Sequence, residues 1–402
     1  MSRYIIQPRE SFTMRSVDLI STRFTPSERR DQIGHVRALR YEDPLHHEIQ
    51  RWIDDAQKSG INMVSYFQSE QSITGACILS LPDDEAERMR AELPGALVLR
   101  DRPFELIQPR RRMTAVSQTV PTDLWHLPAI GVDLIRGPGG GWTGQGITVA
   151  MLDTGVDGTH PEVAENLSGA YRFDVDQWSA EVMAPSIDTY GHGTHVAGLI
   201  CGKHVGVAPG VSLMSGVMIP DGKGTISNFI LALEWAASQP EIQIVNMSAG
   251  IMGYFPEMRE SVSMLLRVGV LPVVAVGNEG RDRTRSPGNY TEVISVGAST
   301  RDHRVASFSS SGIIIADNHQ YAVPDFVAPG EEVFSAVAGG GYAPMDGTSM
   351  ATGIVSGVAA LMLERYPDIT VIELDDALLS STRDLHQPAD RQGHGLIQIG
   401  AI

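Results

Sequence analysis

Beyond about residue 120 the chain alternates short apolar runs with helical spacings. Ile147–Leu152 reads as a buried strand that stops at Asp153-Thr154-Gly155. Ile242–Met247, Leu271–Val276 and Val293–Val296 are further runs of the same kind. Among them, His192–Cys201, Ile226–Ser238 and Pro256–Val268 carry helical spacing. This alternation predicts an α/β unit: a largely parallel sheet with helices on both faces. In such sheets, functional groups collect beyond the carboxyl ends of the strands.

The first part of the chain reads differently. Tyr4–Gln7 predicts a strand. Leu45–Lys58 predicts a helix, apolar at Leu45, Ile49, Trp52, Ile53 and Ala56. Ala76–Leu81 is a short strand. Pro82 with Asp83, Asp84 and Glu85 opens a helix, because carboxylates suit the positive end of the helix dipole. Pro94-Gly95 ends it, and Ala96–Arg100 returns as a strand. Residues 1–106 are therefore expected to form a small α+β unit. Residues 107–122 have no period and read as an exposed linker. Residues 123–402 form the second domain.

Composition narrows the options. With 42% apolar and 20% charged residues, the chain can build a core and is not largely unfolded. The net charge of −17 falls entirely after residue 120, since acids and bases balance before it. Nucleic acid would be repelled by such a surface. No apolar stretch reaches the length of a membrane span. The N-terminus lacks the apolar core of a secretory signal, and Cys77 and Cys201 cannot make a disulfide framework. A cytoplasmic location is expected.

Four segments carry chemistry. Asp153 ends a strand. His192 lies in Gly191-His-Gly-Thr-His195, at a predicted helix start. Asn278 lies in Gly277-Asn-Glu-Gly280, just past a strand. Ser349 lies in Gly347-Thr-Ser-Met-Ala351, before an apolar helix. A serine hydroxyl becomes nucleophilic when a base takes its proton, and a carboxylate orients and stabilises that base. An amide can donate to the oxyanion. Each residue also has a plainer reading: a loop acid, a pair of metal-ligating histidines, a turn, a helix cap.

In the order Asp, His, Ser, these segments resemble the subtilisin-like serine proteases, from about Leu124 to Gly400. Gly206-Val-Ala-Pro, Val245-Asn-Met-Ser and Phe326-Val-Ala-Pro-Gly also fit. The resemblance implies Ser349 as nucleophile, His192 as base then acid, Asp153 as its orienting carboxylate and Asn278 as oxyanion donor. It implies His195 as a structural histidine. Ser248, Ala249 and Gly250 would pair with substrate as an added strand, and Gly222 and Gly224 would line the groove's other side. Residues 1–106, most clearly Ala76–Ile107, resemble the ferredoxin-like inhibitory propeptide of the family. An intramolecular inhibitor is implied, with residues 107–122 threaded through the site and cut there. Proteins or peptides would be the substrates.

The sequence departs from the family in three places. Gly353 and Ile354 stand where the motif after the nucleophile usually has Pro and His. The segment His195–Gly206 is short, and Glu162 replaces the usual Asp, so the high-affinity calcium loop is expected to be absent and no cofactor is required. Arg285 aligns with the floor of the pocket for the residue preceding the cut, with Glu279 at its rim. A free Arg285 would favour acidic side chains; alternatively, Arg281, Arg283 and Arg285 pair with Glu279 and Asp282. Two other readings stay open. One is a catalytically idle peptide-binding protein on this fold. The other is a triad enzyme restricted to one precursor, or acting as an amidase or ligase.

Overall fold

The computed structural model describes residues 1–9, 26–66, 72–112, 114–135 and 141–399. Met113, within the predicted linker, and Gly400 at the chain's end lie outside them.

The strand expected before Asp153 spans Thr148–Asp153 and is central to a ten-stranded sheet. Its residues Val149–Leu152 are fully buried. Alternation along a strand sends neighbours to opposite faces. Val149 and Met151 join one apolar cluster, and Ala150 and Leu152 join the other. Both faces must therefore be covered, which is why the strand reads as a continuous apolar run. Ser212–Val217 and Ile242–Met247 flank it in parallel. Leu271–Ala275, Ile294–Ser299, Phe326–Pro329 and Leu396–Ile397 continue in parallel on one side, and Leu167–Asp174 on the other. Antiparallel strands, Ser179–Val182 and Thr382–Arg383, close the two edges. Helices Gly193–Cys201 and Thr348–Arg365 cover one face, while Ile226–Ser238 and Arg259–Arg267 cover the other. The helix predicted over Pro256–Val268 divides into a 3₁₀ turn, Pro256–Met258, and the helix Arg259–Arg267.

The N-terminal residues form a separate antiparallel sheet in the spatial order Val64–Ser65, Cys77–Leu81, Ser2–Pro8, Ala96–Arg100. With helices Pro44–Lys58 and Asp83–Glu92, this follows the strand–helix–strand–strand–helix–strand pattern of ferredoxin-like units. One face of this sheet packs on those two helices through Tyr4, Ile6, Trp52, Leu79 and Met89. The other contributes Ile5, Ile78 and Leu99 to the core that also contains Phe229 and Ala236 of the large domain. Sequence patterning missed the helix Pro26–Tyr41 because charge dominates it; Ile33 and Val36 are its buried apolar residues and Leu39 packs partly buried, while its Arg29 and Arg40 are buried as well. Arg29 is fully buried and donates to the carbonyls of Val268 and Pro240 at 3.0 and 2.7 Å. Arg40 pairs with Glu260 at 2.8 Å. Glu234 accepts from the backbone N–H groups of Ile73 and Thr74 at 2.9 and 2.8 Å. These buried polar contacts fix the orientation in which the two units meet.

Asp325, just before the strand Phe326–Pro329, is partly buried, and desolvation pushes its carboxyl up to about 7. One oxygen accepts from the Ser295 N–H at 2.6 Å. In the unfolded chain the group titrates near 4. The folded state thus binds the extra proton between about pH 4 and 7, and stability falls as pH rises through that window. Asp325→Asn keeps an acceptor and removes the charge. Its melting temperature is expected to exceed wild type at pH 8 by a few degrees, with the difference gone below pH 4. Calorimetry across pH checks both ends.

Candidate active site

Asp153, His192, Asn278 and Ser349 come from four separate elements and are all buried. Asp153 is the last residue of the central strand. Its Oδ1 accepts from His192 Nδ1 at 2.7 Å and from the Thr154 N–H at 2.7 Å. Nδ1 therefore carries the proton, leaving Nε2 as the basic nitrogen; Nε2 makes no hydrogen bond to protein. His192 caps the helix Gly193–Cys201. Gly193 is required here: a Cβ would lie 2.0 Å from the Gly155 carbonyl oxygen. Asp188, which pattern reading did not select, holds this turn together. Its carboxylate accepts from the N–H groups of Gly191 and Thr194 and from the hydroxyls of Thr154 and Thr194 at 2.7–2.8 Å. The local signal was an acid three residues before Gly191.

Ser349 is the second residue of the helix Thr348–Arg365. Asn278 follows the strand Leu271–Ala275. Its Oδ1 accepts from the Thr348 N–H at 2.9 Å and the Thr348 hydroxyl at 3.0 Å, which aims Nδ2 away from the helix. His195 Nε2 donates to the Ala343 carbonyl at 2.9 Å, and burial pushes its pKa down to about 3, so it stays neutral. Among the described residues, no group of three His, Cys, Asp or Glu is arranged for a metal. Gly353, the departure after the nucleophile segment, lies where this helix approaches its neighbour. A Cβ there would stand 3.1–3.2 Å from Val196, so glycine permits the close packing of the two helices that carry Ser349 and His192.

The groove is filled by the chain itself. Pro103–Leu106 lies between Lys223–Thr225 and Ala249–Met252, antiparallel to both. Gly224 pairs with Phe104, Gly250 with Glu105, and Ala249 with Leu106. The Ile107 N–H donates to the Ser248 carbonyl at 3.0 Å. Gly222 turns with φ +77° beside the Gln108 side chain. Phe104 is buried and stacks on Phe229, ring centroids 4.6 Å apart. Ile107 is buried as well, and Ser349 Oγ donates to its carbonyl at 3.4 Å. Asn278 Nδ2, however, donates to the next carbonyl, that of Gln108, at 2.9 Å.

Over 107–122, Gln108, Arg110 and residues 114–118 are exposed, yet part of the segment is held through its backbone. Arg110 N–H donates to the Asp346 carbonyl at 2.8 Å, Arg111–Arg112 pair antiparallel with Tyr342–Asp346, and Val116 bridges to Tyr342. Extended segments that bind through backbone have no apolar period, so patterning reads them as loops. Arg285 pairs with Glu279 at 2.8 Å and donates to the Gly250 carbonyl at 3.1 Å, while Arg281 pairs with Asp390. An acidic substrate side chain would have to compete with Glu279 for this guanidinium. Among the described residues, no helix is long and apolar enough to cross a membrane.

Comparison with known proteins agrees with this geometry. A sequence model of the subtilase family matches residues 144–395. An intracellular serine protease of Paenibacillus polymyxa is 37% identical over 68% of this chain and 85% of its own length. Subtilisin BL of Lederbergia lenta is 34% identical over 67% of this chain and 97% of its own length. Subtilisin E of Bacillus subtilis is 34% identical over 67% of this chain and 70% of its own length.

The family resemblance raises the question of calcium near Glu162. The residues present do not suit a cation there. The Glu162 carboxylate is buried and already accepts from the His204 N–H at 2.8 Å, His204 Nδ1 at 3.0 Å and the Tyr342 hydroxyl at 2.7 Å. Burial by itself would raise its pKa, but these donors hold it below the usual range. Glu162→Gln is expected to cost on the order of 1–3 kcal/mol at pH 7, by the same amount with and without EDTA. A wild-type melting temperature that EDTA lowers to that of the variant would show a cation at this carboxylate instead.

Proposed function

The chain belongs to the subtilase family and is a subtilisin-like serine protease; on that premise we propose that Asp153, His192, Ser349 and Asn278 are its catalytic residues and that residues 1–112 inhibit it. The supporting observation is the set of contacts in the groove. A peptide lies antiparallel between two strand edges, with its carbonyl against Ser349 Oγ and the adjacent carbonyl on Asn278 Nδ2.

The chemistry follows from the groups and their protonation. Ser349 Oγ attacks the substrate carbonyl carbon as His192 Nε2 takes the hydroxyl proton. Asp153 keeps His192 in the required tautomer and stabilises the imidazolium. The oxyanion is held by Asn278 Nδ2 and the Ser349 backbone N–H. Collapse breaks the C–N bond, and His192 gives its proton to the leaving amine. Water, deprotonated by His192, then releases the acyl group from Ser349.

The bound segment behaves as an inhibitor because its register is out of step. Ile107 occupies the position beside Ser248, yet it is the Gln108 carbonyl that meets Asn278. Attack on Ile107 requires its carbonyl to move into the place Gln108 holds, and Pro109 stiffens the chain just beyond. Self-cleavage after Ile107 is therefore slow, and the N-terminal unit remains seated until it occurs. The name of the Paenibacillus relative supports an intracellular setting, where a self-restrained protease avoids general damage. Substrates are proteins or peptides that extend through the same groove.

Two measurements test these roles. Intact-mass analysis with fluorophosphonate labelling is expected to find wild type labelled on Ser349 and cut within residues 107–122, with Ser349→Ala neither labelled nor cut. A pure Ser349→Ala sample that still matures would refute self-processing. Asn278→Ala should lower kcat about 10²–10³-fold, a magnitude established for this donor in subtilisin itself rather than derived from the present geometry. A near-normal rate would remove Asn278 from the oxyanion site.

A further inference from the structure

The segment that fills the groove continues past Ser349 and makes side-chain contacts there that the motifs did not announce. Arg110 is the third residue after Ile107. Its Nε donates to the Asn278 carbonyl at 2.6 Å, and its Nη2 donates to the same oxygen. Its own N–H donates to the Asp346 carbonyl. The next two residues are also arginines, and their backbone pairs with Asp346 and Met345. Tyr342–Asp346 has its other edge occupied by Val333–Ala336, so an incoming peptide can add only on the edge that Arg111–Arg112 takes.

The end of that strand is acidic. Asp346 closes it, Glu331 and Glu332 precede the neighbouring strand, and the Glu332 N–H donates to Asp346 Oδ1 at 2.7 Å. The whole net charge of −17 belongs to the part of the chain that builds this surface. A guanidinium presents two parallel N–H groups to one oxygen, which an ammonium cannot reproduce.

We propose that the surface formed by the Asn278 carbonyl and the strand Tyr342–Asp346 is an arginine-selective subsite on the leaving-group side of the cut, so that this protease favours substrates with arginine at the second residue after the cleaved bond, the place Arg110 holds relative to the carbonyl on Asn278 Nδ2. The inference rests on the catalytic roles proposed above. Backbone pairing along Tyr342–Asp346 holds any extended peptide, and the Asn278 carbonyl selects the arginine. Because the contact exists before the reaction and changes little during it, its effect falls mainly on KM.

The test uses quenched-fluorescence peptides with Phe-Glu-Leu-Ile before the cut and Gln-Xaa-Ala-Ala after it, where Xaa is Arg, Lys, Gln or Ala. A second set moves Arg one position further from the cut and is expected to lose the advantage. With the purified full chain and its matured form, Arg at the second position is expected to raise kcat/KM about tenfold over Gln and Ala. Lys should fall between, and the advantage should shrink at high salt. If all peptides are cut within a factor of two of one another, the subsite is overturned while the catalytic reading stands. If none is cut, the catalytic reading fails and takes the subsite with it. If Arg110→Ala speeds release of the N-terminal unit yet the peptides show no preference, the contact serves only the chain's own segment, and the proposal is wrong.

Discussion

Two strand edges that face each other across a gap set the logic of this molecule. Lys223–Thr225 and Ala249–Met252 each present backbone donors and acceptors to the groove, and one extended peptide can pair with both at once. Backbone pairing selects an extended shape and leaves choice of side chain to the pockets between the edges. The chain uses Pro103–Leu106 for this, with Phe104 and Leu106 pointing into apolar space and Glu105 outward. Occupation of the groove, the docking of the N-terminal unit and access to Ser349 all hang on this one strand.

A four-residue strand alone could fray, and the N-terminal unit prevents that. Its sheet ends at Arg100, only two residues before the groove strand begins. Any freedom between the unit and the large domain would therefore pull the strand out of register. Arg29, Arg40 and Glu234 remove that freedom with buried polar contacts, each directional and each costly to leave unmade. Apolar packing through Phe229 and the helix Ile226–Ser238 supplies the bulk of the attraction. On the far side of Ser349, Arg110–Arg112 hold the segment a second time. The carbonyls of Ile107 and Gln108, on Ser349 Oγ and Asn278 Nδ2, are thus spanned between two anchors.

The site itself is built from short reaches off rigid elements. Asp153 and Asn278 stand at the ends of neighbouring parts of one sheet, and His192 and Ser349 begin two helices that pack closely at Gly353. Asp188 and Thr348 orient the turn at His192 and the amide of Asn278.

Much of this was legible in the sequence because it is local. A buried parallel strand must be apolar on both faces, so Ile147–Leu152 announced the sheet. Gly193 marks a place where backbone has to pass close to backbone, and Gly191 and Gly277 take a positive φ, so those segments announced the site. Other features depend on residues far apart in the chain, and no local pattern encodes them. Periodicity could not show that residues 107–112 are docked, since backbone pairing is indifferent to side-chain order. It could not show that Arg285 meets Glu279, that Glu234 receives the loop at Ile73, or that Gly353 lies against Val196. Sequence alone determined which chemistry this chain carries and the fold that presents it. Tertiary structure decided what occupies the groove and in which register, because register is set by anchors on both sides of the reactive position acting together.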